Sequence, residues 1–335
     1  MLVSCKLKKE LIFQYMPFLH VIVLGYGRFF ETSKLCLESL LPISEHVAVT
    51  VFDNGSLDSS ATLQEEFVKE HPEIRSVLSQ SNLGFAAGMN AAVASTETPC
   101  EWLMLVGNDT IFHPQALQIM TDAMKKVPDH VGIIGPMTNS AGNAQELRAL
   151  GNQVAEVFKT WDKNTFQTEP TLSPLYRADF FCVAIKKSVW DRLGGLSLSY
   201  GKGYYEDFDF CLRSRLTGYE TVMLENALVY HQGSASFKND SGQAELIKVN
   251  KMIFLSQFPN VELRHRRLDQ YKTLEFYLSQ KYGIGLINYI SQLAELRIQS
   301  LLLDLPKSPI KKWLWLKKIS LISKKFEKFK AITRI

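Results

Sequence analysis

Cysteine is scarce in this chain and shows no pattern: Cys5, Cys36, Cys100, Cys182 and Cys211 are odd in number and widely scattered. That excludes a disulfide framework and a zinc site of regularly spaced cysteines, and it suits a reducing, cytosolic compartment. Long apolar runs are missing too, since no stretch approaches the roughly 18–20 residues that span a bilayer. The segment from Leu11 to Gly27 is broken by Gln14, Pro17 and His20 and has no small-residue cleavage site after it, which argues against a secretory leader. Internal repeats and low-complexity tracts are absent. What the chain does have is 46% hydrophobic and 21% charged residues over 335 positions, enough for one large domain with an appendage.

Acids are nearly absent from the last segment. Residues 305–335 hold ten Lys or Arg and the single acid Glu327, whereas residues 1–304 hold 28 bases and 33 acids. The net charge of +4 therefore combines an acidic body with a basic tail. In the tail, Trp315, Ile319, Ile322, Phe326 and Phe329 recur at spacings of four and three, with Lys317, Lys324 and Lys328 off that stripe. This reads as a basic amphipathic helix suited to an anionic membrane surface or an acidic partner. The alternative is a helix laid on the protein's own body.

The body alternates apolar runs of strand type with helical patterns. His20–Leu24 runs into Gly25-Tyr26-Gly27, Val47–Phe52 into Asp53-Asn54-Gly55-Ser56, Ser76–Leu78 into Asn82-Leu83-Gly84-Phe85, and Trp102–Val106 into Gly107-Asn108-Asp109-Thr110. A helix is expected after each, the last opened by Pro114. The βαβαβαβ order predicts an α/β fold with a mostly parallel sheet flanked by helices, whose ligands bind beyond the carboxyl ends of the strands. Each polar cluster sits at such an end. Residues 138–174 read as loops over the site, and order returns with the run Phe180–Ile185 and a helix Lys187–Leu193 closed by Gly194-Gly195. The segments expected are an N-terminal extension (1–18), a main domain (19–236), a helical region (237–304) and the basic helix (305–335).

Three carboxylates, Glu206, Asp207 and Asp209, fall within four positions and repel one another unless a cation, a proton or a polar substrate compensates. They mark an active-site corner, against the plainer reading of a solvated turn before a helix. Asp53 at a strand end can accept from a base or ribose, and Gly55 permits close approach. Gly84, Ala86 and Gly88 open a helix whose free amides favour phosphate, although small residues there also serve close packing. Asp109 can ligate a hard divalent cation alongside substrate phosphates, and His231, at the end of an apolar strand, can complete the set, which points to Mg²⁺ or Mn²⁺ rather than Ca²⁺.

Taken in order, Asp53-Asn54-Gly55-Ser56, Asn82-x-Gly84-Phe85-Ala86-x-Gly88-x-Asn90, Asn108-Asp109-Thr110, Gly194-Gly195, Tyr205-Glu206-Asp207-x-Asp209, Gly218-Tyr219 and His231 resemble the family 2 glycosyltransferases of GT-A fold, in particular the bacterial rhamnosyltransferase and galactofuranosyltransferase branch. The resemblance spans about residues 19–236. It implies inverting transfer of a sugar from a nucleotide-diphosphate donor, a dTDP- or UDP-sugar, to a glycan or lipid-linked acceptor in surface polysaccharide synthesis. It also implies a peripheral protein at the inner face of the membrane, with no nucleic-acid partner. By position, Tyr26, Asp53, Asn54, Asn82, Gly84, Phe85, Gly88, Asn90, Asn108 and Asp109 would hold the sugar nucleotide. Asp109 and His231 would hold the metal. Asp207 would be the general base, with Glu206 beside it binding hydroxyls.

Two positions depart from the family pattern: Gly107 stands where its first D-x-D carboxylate falls, and no Asn follows the aromatic Tyr26. Gly107 opens a rival reading as a catalytically silent sugar-nucleotide-binding subunit. Gly25-x-Gly27 with Asp53 opens another, an NAD-dependent oxidoreductase. Phe30 at the third glycine position speaks against that one, and it leaves Glu206, Asp207 and His231 unexplained.

Overall fold

The computed structural model describes residues 17–41, 47–96, 99–164, 169–233 and 242–332. Most of the expected N-terminal extension, residues 1–16, lies outside them. The strands are β1 (Leu19–Gly25), β2 (Val47–Asp53), β3 (Ile74–Leu78), β4 (Trp102–Gly107), β5 (Thr110–Phe112), β6 (Val131–Met137), β7 (Leu172–Pro174), β8 (Cys182–Lys186) and β9 (Glu220–His231). They form one sheet in the order β3-β2-β1-β4-β8-β6-β9-β5, with β7 also paired to β9.

The expected parallel unit is β3-β2-β1-β4, in which Gly25 pairs with Asp53 and Leu24 with Gly107. Beyond it the sheet is mixed: β8 runs antiparallel to both β4 and β6, and β9 is parallel to β6 but antiparallel to β5 and β7. Alternation along the strands builds two cores. Ile22, Leu24, Leu103 and Leu105 face one side, and Val21, Val23, Met104 and Val106 the other.

Helices α1 (Ser33–Leu40), α2 (Ser60–Glu70) and α4 (Ala116–Lys126) cover the second face, and α3 (Phe85–Ala94) and α6 (Lys187–Leu193) the first. Residues 138–174 are more ordered than expected, because they contain α5 (Val154–Asn164) and β7. The cause is visible in retrospect: Val157 and Trp161, one turn apart, are buried in the core with Phe158 beside them.

Helix α7 (Glu206–Leu216) begins at the acidic cluster, and α8 (Gln243–Gln257), α9 (Arg266–Ser279), α10 (Ile284–Leu303) and α11 (Pro309–Ile332) follow β9. The apolar stripe of α11 turns inward: Ile319, Ile322 and Phe326 are buried, and Trp315 and Phe329 pack beside them against Tyr271 and Tyr282. That stripe is the self-docked alternative, so it is not available to insert into a membrane. A buried ion pair locks α10 to the sheet. Arg297 meets Glu225 of β9 at 2.8 Å, both wholly inaccessible, and it also donates to Ala144 O and Gln270 Oε1.

Candidate active site

The three clustered carboxylates are compensated in three different ways. Asp209 points into the body, where Arg213 one turn later approaches at 2.5 Å and Tyr200 Oη donates at 3.1 Å. It is a structural group. Asp207 is paired with Arg177, whose Nη1 lies 2.9 Å from Oδ2 and also contacts Asp179. Burial pushes Asp207 up to about 6, although Arg177 pulls the other way. Glu206, 7% exposed, has no cation against it, and burial together with the Asp207 charge pushes it up to about 8. Both effects favour the protonated form of Glu206, and its Oε2 has no hydrogen-bond partner among the described residues.

The turn before these acids is strained. Tyr204 and Tyr205 have φ of 71° and 79°, in the left-handed region that bulky side chains rarely enter. Asn250 of α8 holds the turn, because its Nδ2 donates to the carbonyls of Tyr200, Gly203 and Tyr204 at 2.7–3.0 Å. A helix that follows β9 in the chain thus fixes where Glu206 and Asp207 begin.

Asp109 and His231 meet across the β5–β9 edge, with Oδ2 3.4 Å from Nε2. His231 Nδ1 lies 2.7 Å from the carbonyl of Ser140, which can only accept, so Nδ1 carries the hydrogen and the neutral ring turns its Nε2 lone pair toward Asp109. Phe181 stacks on the ring at 5.1 Å and fixes its plane. Burial draws the imidazole pKa down, but contact with Asp109 outweighs it and the net shift is upward. Two electron-pair donors facing each other call for a proton or a cation between them. Gly107 leaves room for this: a Cβ there would stand 3.1 Å from Asp109 Oδ1.

One loop joins the two halves of the site. Ser140 holds His231, and two residues on, the amide of Gly142 donates to Asp179, as does Asn143 Nδ2 at 3.2 Å. Asp179 shares Arg177 with Asp207. The backbone of residues 140–142 therefore links the Asp109–His231 pair to the Asp179–Arg177–Asp207 cluster. Sequence reading missed Arg177, Asp179 and Asn250. The first two lie between the stretch read as loop, 138–174, and the apolar run Phe180–Ile185, and no local spacing links them to Asp207.

At the other end of the parallel unit, Asp53 is buried and its oxygens accept from the amide and the hydroxyl of Ser56, which leaves further lone pairs on the carboxylate. Tyr26 is half-buried beside it at the end of β1.

Several residues expected to touch a ligand brace the surrounding loops. Asn54 spends its amide on Leu83 N and Gly84 O, Asn108 donates to Thr32 and Ser33, and Asn90 exchanges two bonds with the backbone of Leu196. Gly88 is small because a Cβ there would lie 2.8 Å from Asn54 Nδ2, which is packing rather than ligand approach. The start of α3 is also covered: Phe85 N donates to Lys202 O, and Lys202 Cα would stand 3.1 Å from a Cβ on Gly84, so these do not form an open phosphate cradle. Asn82, exposed, caps the same turn by accepting from Gly84 N at 2.8 Å.

The family model described as "Glycosyl transferase family 2" matches residues 21–193. An N-acetylglucosaminyl-diphospho-decaprenol L-rhamnosyltransferase from Mycobacterium tuberculosis (strain CDC 1551 / Oshkosh) is 22% identical over 245 residues, covering 66% of this chain and 78% of that one. Among solved structures, GalNAc-T7 with UDP, GalNAc and Mn²⁺ aligns at a TM-score of 0.55 and 11% identity, over 86% of this chain and 55% of that one. The mannosyltransferase PcManGT from Pyrobaculum calidifontis, in complex with GDP-Man and Mn²⁺, aligns at 0.48 and 15% over 96% and 81%. The likeness is one of fold: a mixed, mostly parallel GT-A sheet flanked by helices and followed by a helical region.

Proposed function

The chain belongs to glycosyl transferase family 2, and we propose that it transfers a sugar, with inversion, from a dTDP- or UDP-sugar to a hydroxyl of a glycan or lipid-linked acceptor in surface polysaccharide synthesis. The observation that carries the reading is the loop of residues 140–142, which ties the Asp109–His231 pair to Asp207 through Asp179 and Arg177. It joins a site for a diphosphate-bound cation to a half-buried carboxylate whose pKa is raised toward neutrality. The rhamnosyltransferase relative acts, by its name, on a decaprenol-linked sugar, which supports a lipid-linked acceptor and a place at the inner face of the membrane. No helix among the described residues is long and apolar enough to cross a membrane, so that association would be peripheral.

The residues fit a divalent cation. A carboxylate and an imidazole lone pair oriented by Ser140 supply two protein donors, as Mg²⁺ or Mn²⁺ requires when substrate phosphates provide the rest. Such an ion, when bound, neutralises the charge on the departing diphosphate.

The chain's own groups do the remaining work. Asp207, ionised, takes the proton from the acceptor hydroxyl as the glycosidic bond forms. Glu206, protonated and unpartnered, donates a hydrogen bond to a sugar hydroxyl. Asp53 holds the ribose or base. Arg177 keeps Asp207 ionised near neutral pH. Asn54, Asn90 and Asn108 fix the loops around the sugar nucleotide.

Thermal-shift measurements against dTDP-, UDP- and GDP-sugars, with and without Mn²⁺, test the reading. Stabilisation by one nucleotide class that chelation abolishes is the expected result. A response to NAD and to none of the sugar nucleotides would overturn it. Binding without any turnover would favour the silent subunit.

A further inference from the structure

We propose that an anionic bilayer is held by a patch formed where α10 ends and α11 begins, on the face of α11 opposite its buried stripe. This rests on the reading of a lipid-linked acceptor and names the surface that serves it. Helix α11 has a second apolar face that the sequence pattern conceals. Ile310, Leu314 and Leu321, spaced by four and seven, fall opposite Ile319 and Phe326 and remain exposed, Ile310 by 74%. Trp313 beside them is 59% exposed, and Leu303 at the end of α10 is 65% exposed. A protein with no partner there has no reason to gather such residues on one outer ridge.

The charge identifies the occupant. Lys317, Lys324 and Lys328 continue the same outer face toward the C-terminus, all exposed, with Lys317 Nζ 5.3 Å from the centre of the Trp313 ring. Apolar side chains at one end and ammonium groups along the rest fit shallow insertion beneath anionic headgroups, with an indole at the interface. A second copy of the chain would set lysines against lysines. An acidic protein would answer the lysines but not the protruding Ile310 and Leu303.

The patch is coupled to the site. The inward face of α11 packs on α9 and α10, while Ser300 of α10 accepts from the amide of Ala149 and Arg297 donates to the carbonyl of Ala144. Those residues continue the segment whose Ser140 orients His231. The bilayer and the proposed active site are thereby held in a fixed relation.

Co-sedimentation of the full chain with vesicles of phosphatidylcholine, alone or mixed with phosphatidylglycerol, tests this. Binding only to the anionic vesicles is expected, weakened at least tenfold in an Ile310→Ser/Trp313→Ser/Leu314→Ser variant and in a Lys317→Glu/Lys324→Glu/Lys328→Glu variant. Both should keep the parent Tm and its transfer to a water-soluble acceptor. Brominated lipid should quench tryptophan emission in the parent and not in Trp313→Phe. Equal binding to neutral vesicles, unchanged binding in both variants, or self-association abolished by the serine variant would overturn the proposal. A protein that binds these vesicles but no sugar nucleotide would sink the enzymatic reading and leave the docking face standing.

Discussion

Arg177 Nη1 lies 2.9 Å from Asp207 Oδ2, and the same nitrogen contacts Asp179, so one guanidinium is divided between two half-buried acids. Neither acid has the cation to itself. Asp207 is consequently paired and yet raised to about 6, because burial outweighs what half a partner returns.

The pH profile should expose this arrangement. As a base, Asp207 works ionised, so kcat/KM should rise with pH through about 6. Arg177→Ala removes the attraction that lowers this pKa and should move the acid limb upward by about 1–3 pH units. An unmoved limb would separate Arg177 from the base. The stability effect has its own sign: a carboxyl whose folded pKa is raised costs native stability as pH climbs through that value. Asp207→Asn should therefore be at least as stable as the parent at pH 8 while transfer falls by about 10²–10⁴.

Glu206 makes the opposite demand. Burial and the Asp207 charge hold it up to about 8, and in the proposed mechanism it is a neutral hydrogen-bond donor at pH 7. Glu206→Gln preserves a neutral donor of the same shape, so activity near pH 7 should fall only a few-fold. Glu206→Ala should lose about 10-fold or more, the scale of one charge-free hydrogen bond to substrate together with its cavity. The alkaline limb of the parent profile, descending as pH passes about 8, should be missing in Glu206→Gln. If the limb survives there, another group gives rise to it.

Asn250 is expected to matter far from the chemistry it touches. Its Nδ2 collects three carbonyls of the 200–204 turn and holds Tyr204 and Tyr205 at positive φ. Asn250→Ala leaves those carbonyls unpaired, a cost of about 1–3 kcal/mol, and lets the start of α7 relax. The measurement is a comparison of Tm with kcat: kcat should fall while KM for the sugar nucleotide changes little, since Asp53, Asp109 and His231 stand on other elements. A loss of Tm with kcat intact would make the clamp structural only.

How much of this the sequence disclosed follows from the range of the interactions. The ends of β1, β2 and β4 are local features, so Asp53 and Asp109 could be placed on one edge from strand alternation alone. Glu206 and Asp207 drew notice through repulsion between neighbours. Their different fates depend on Arg213 one turn away for Asp209 and on Arg177, thirty positions earlier, for Asp207, and only the first pairing has a helical spacing. At Asn54, Asn90 and Gly88 motif position suggested ligand contact, and the partners that the structure adds, Leu83, Leu196 and Asn54 itself, come from loops with no periodic signature. In α11 the pattern showed an amphipathic helix and left open where its apolar stripe goes, because periodicity gives the faces of a helix but not which face the body claims.

The pair of Arg297 and Glu225 tests whether the helical region belongs to the same cooperative unit as the sheet. Both side chains are wholly inaccessible, and Glu225 also accepts from Ser173, Tyr277 and Arg297 at 2.5–2.8 Å. Arg297→Met strands a buried carboxylate and should cost about 3–5 kcal/mol. Glu225→Gln in that background removes the stranded charge and should recover a large part of the loss, giving a strongly non-additive double-mutant cycle. Urea unfolding followed by tryptophan emission and by far-UV ellipticity reads it. In Arg297→Met the two probes should still move together, at a lower midpoint. Separate transitions in the parent would mean that α9 to α11 unfold on their own, and the fixed relation between docking face and site would fall with them.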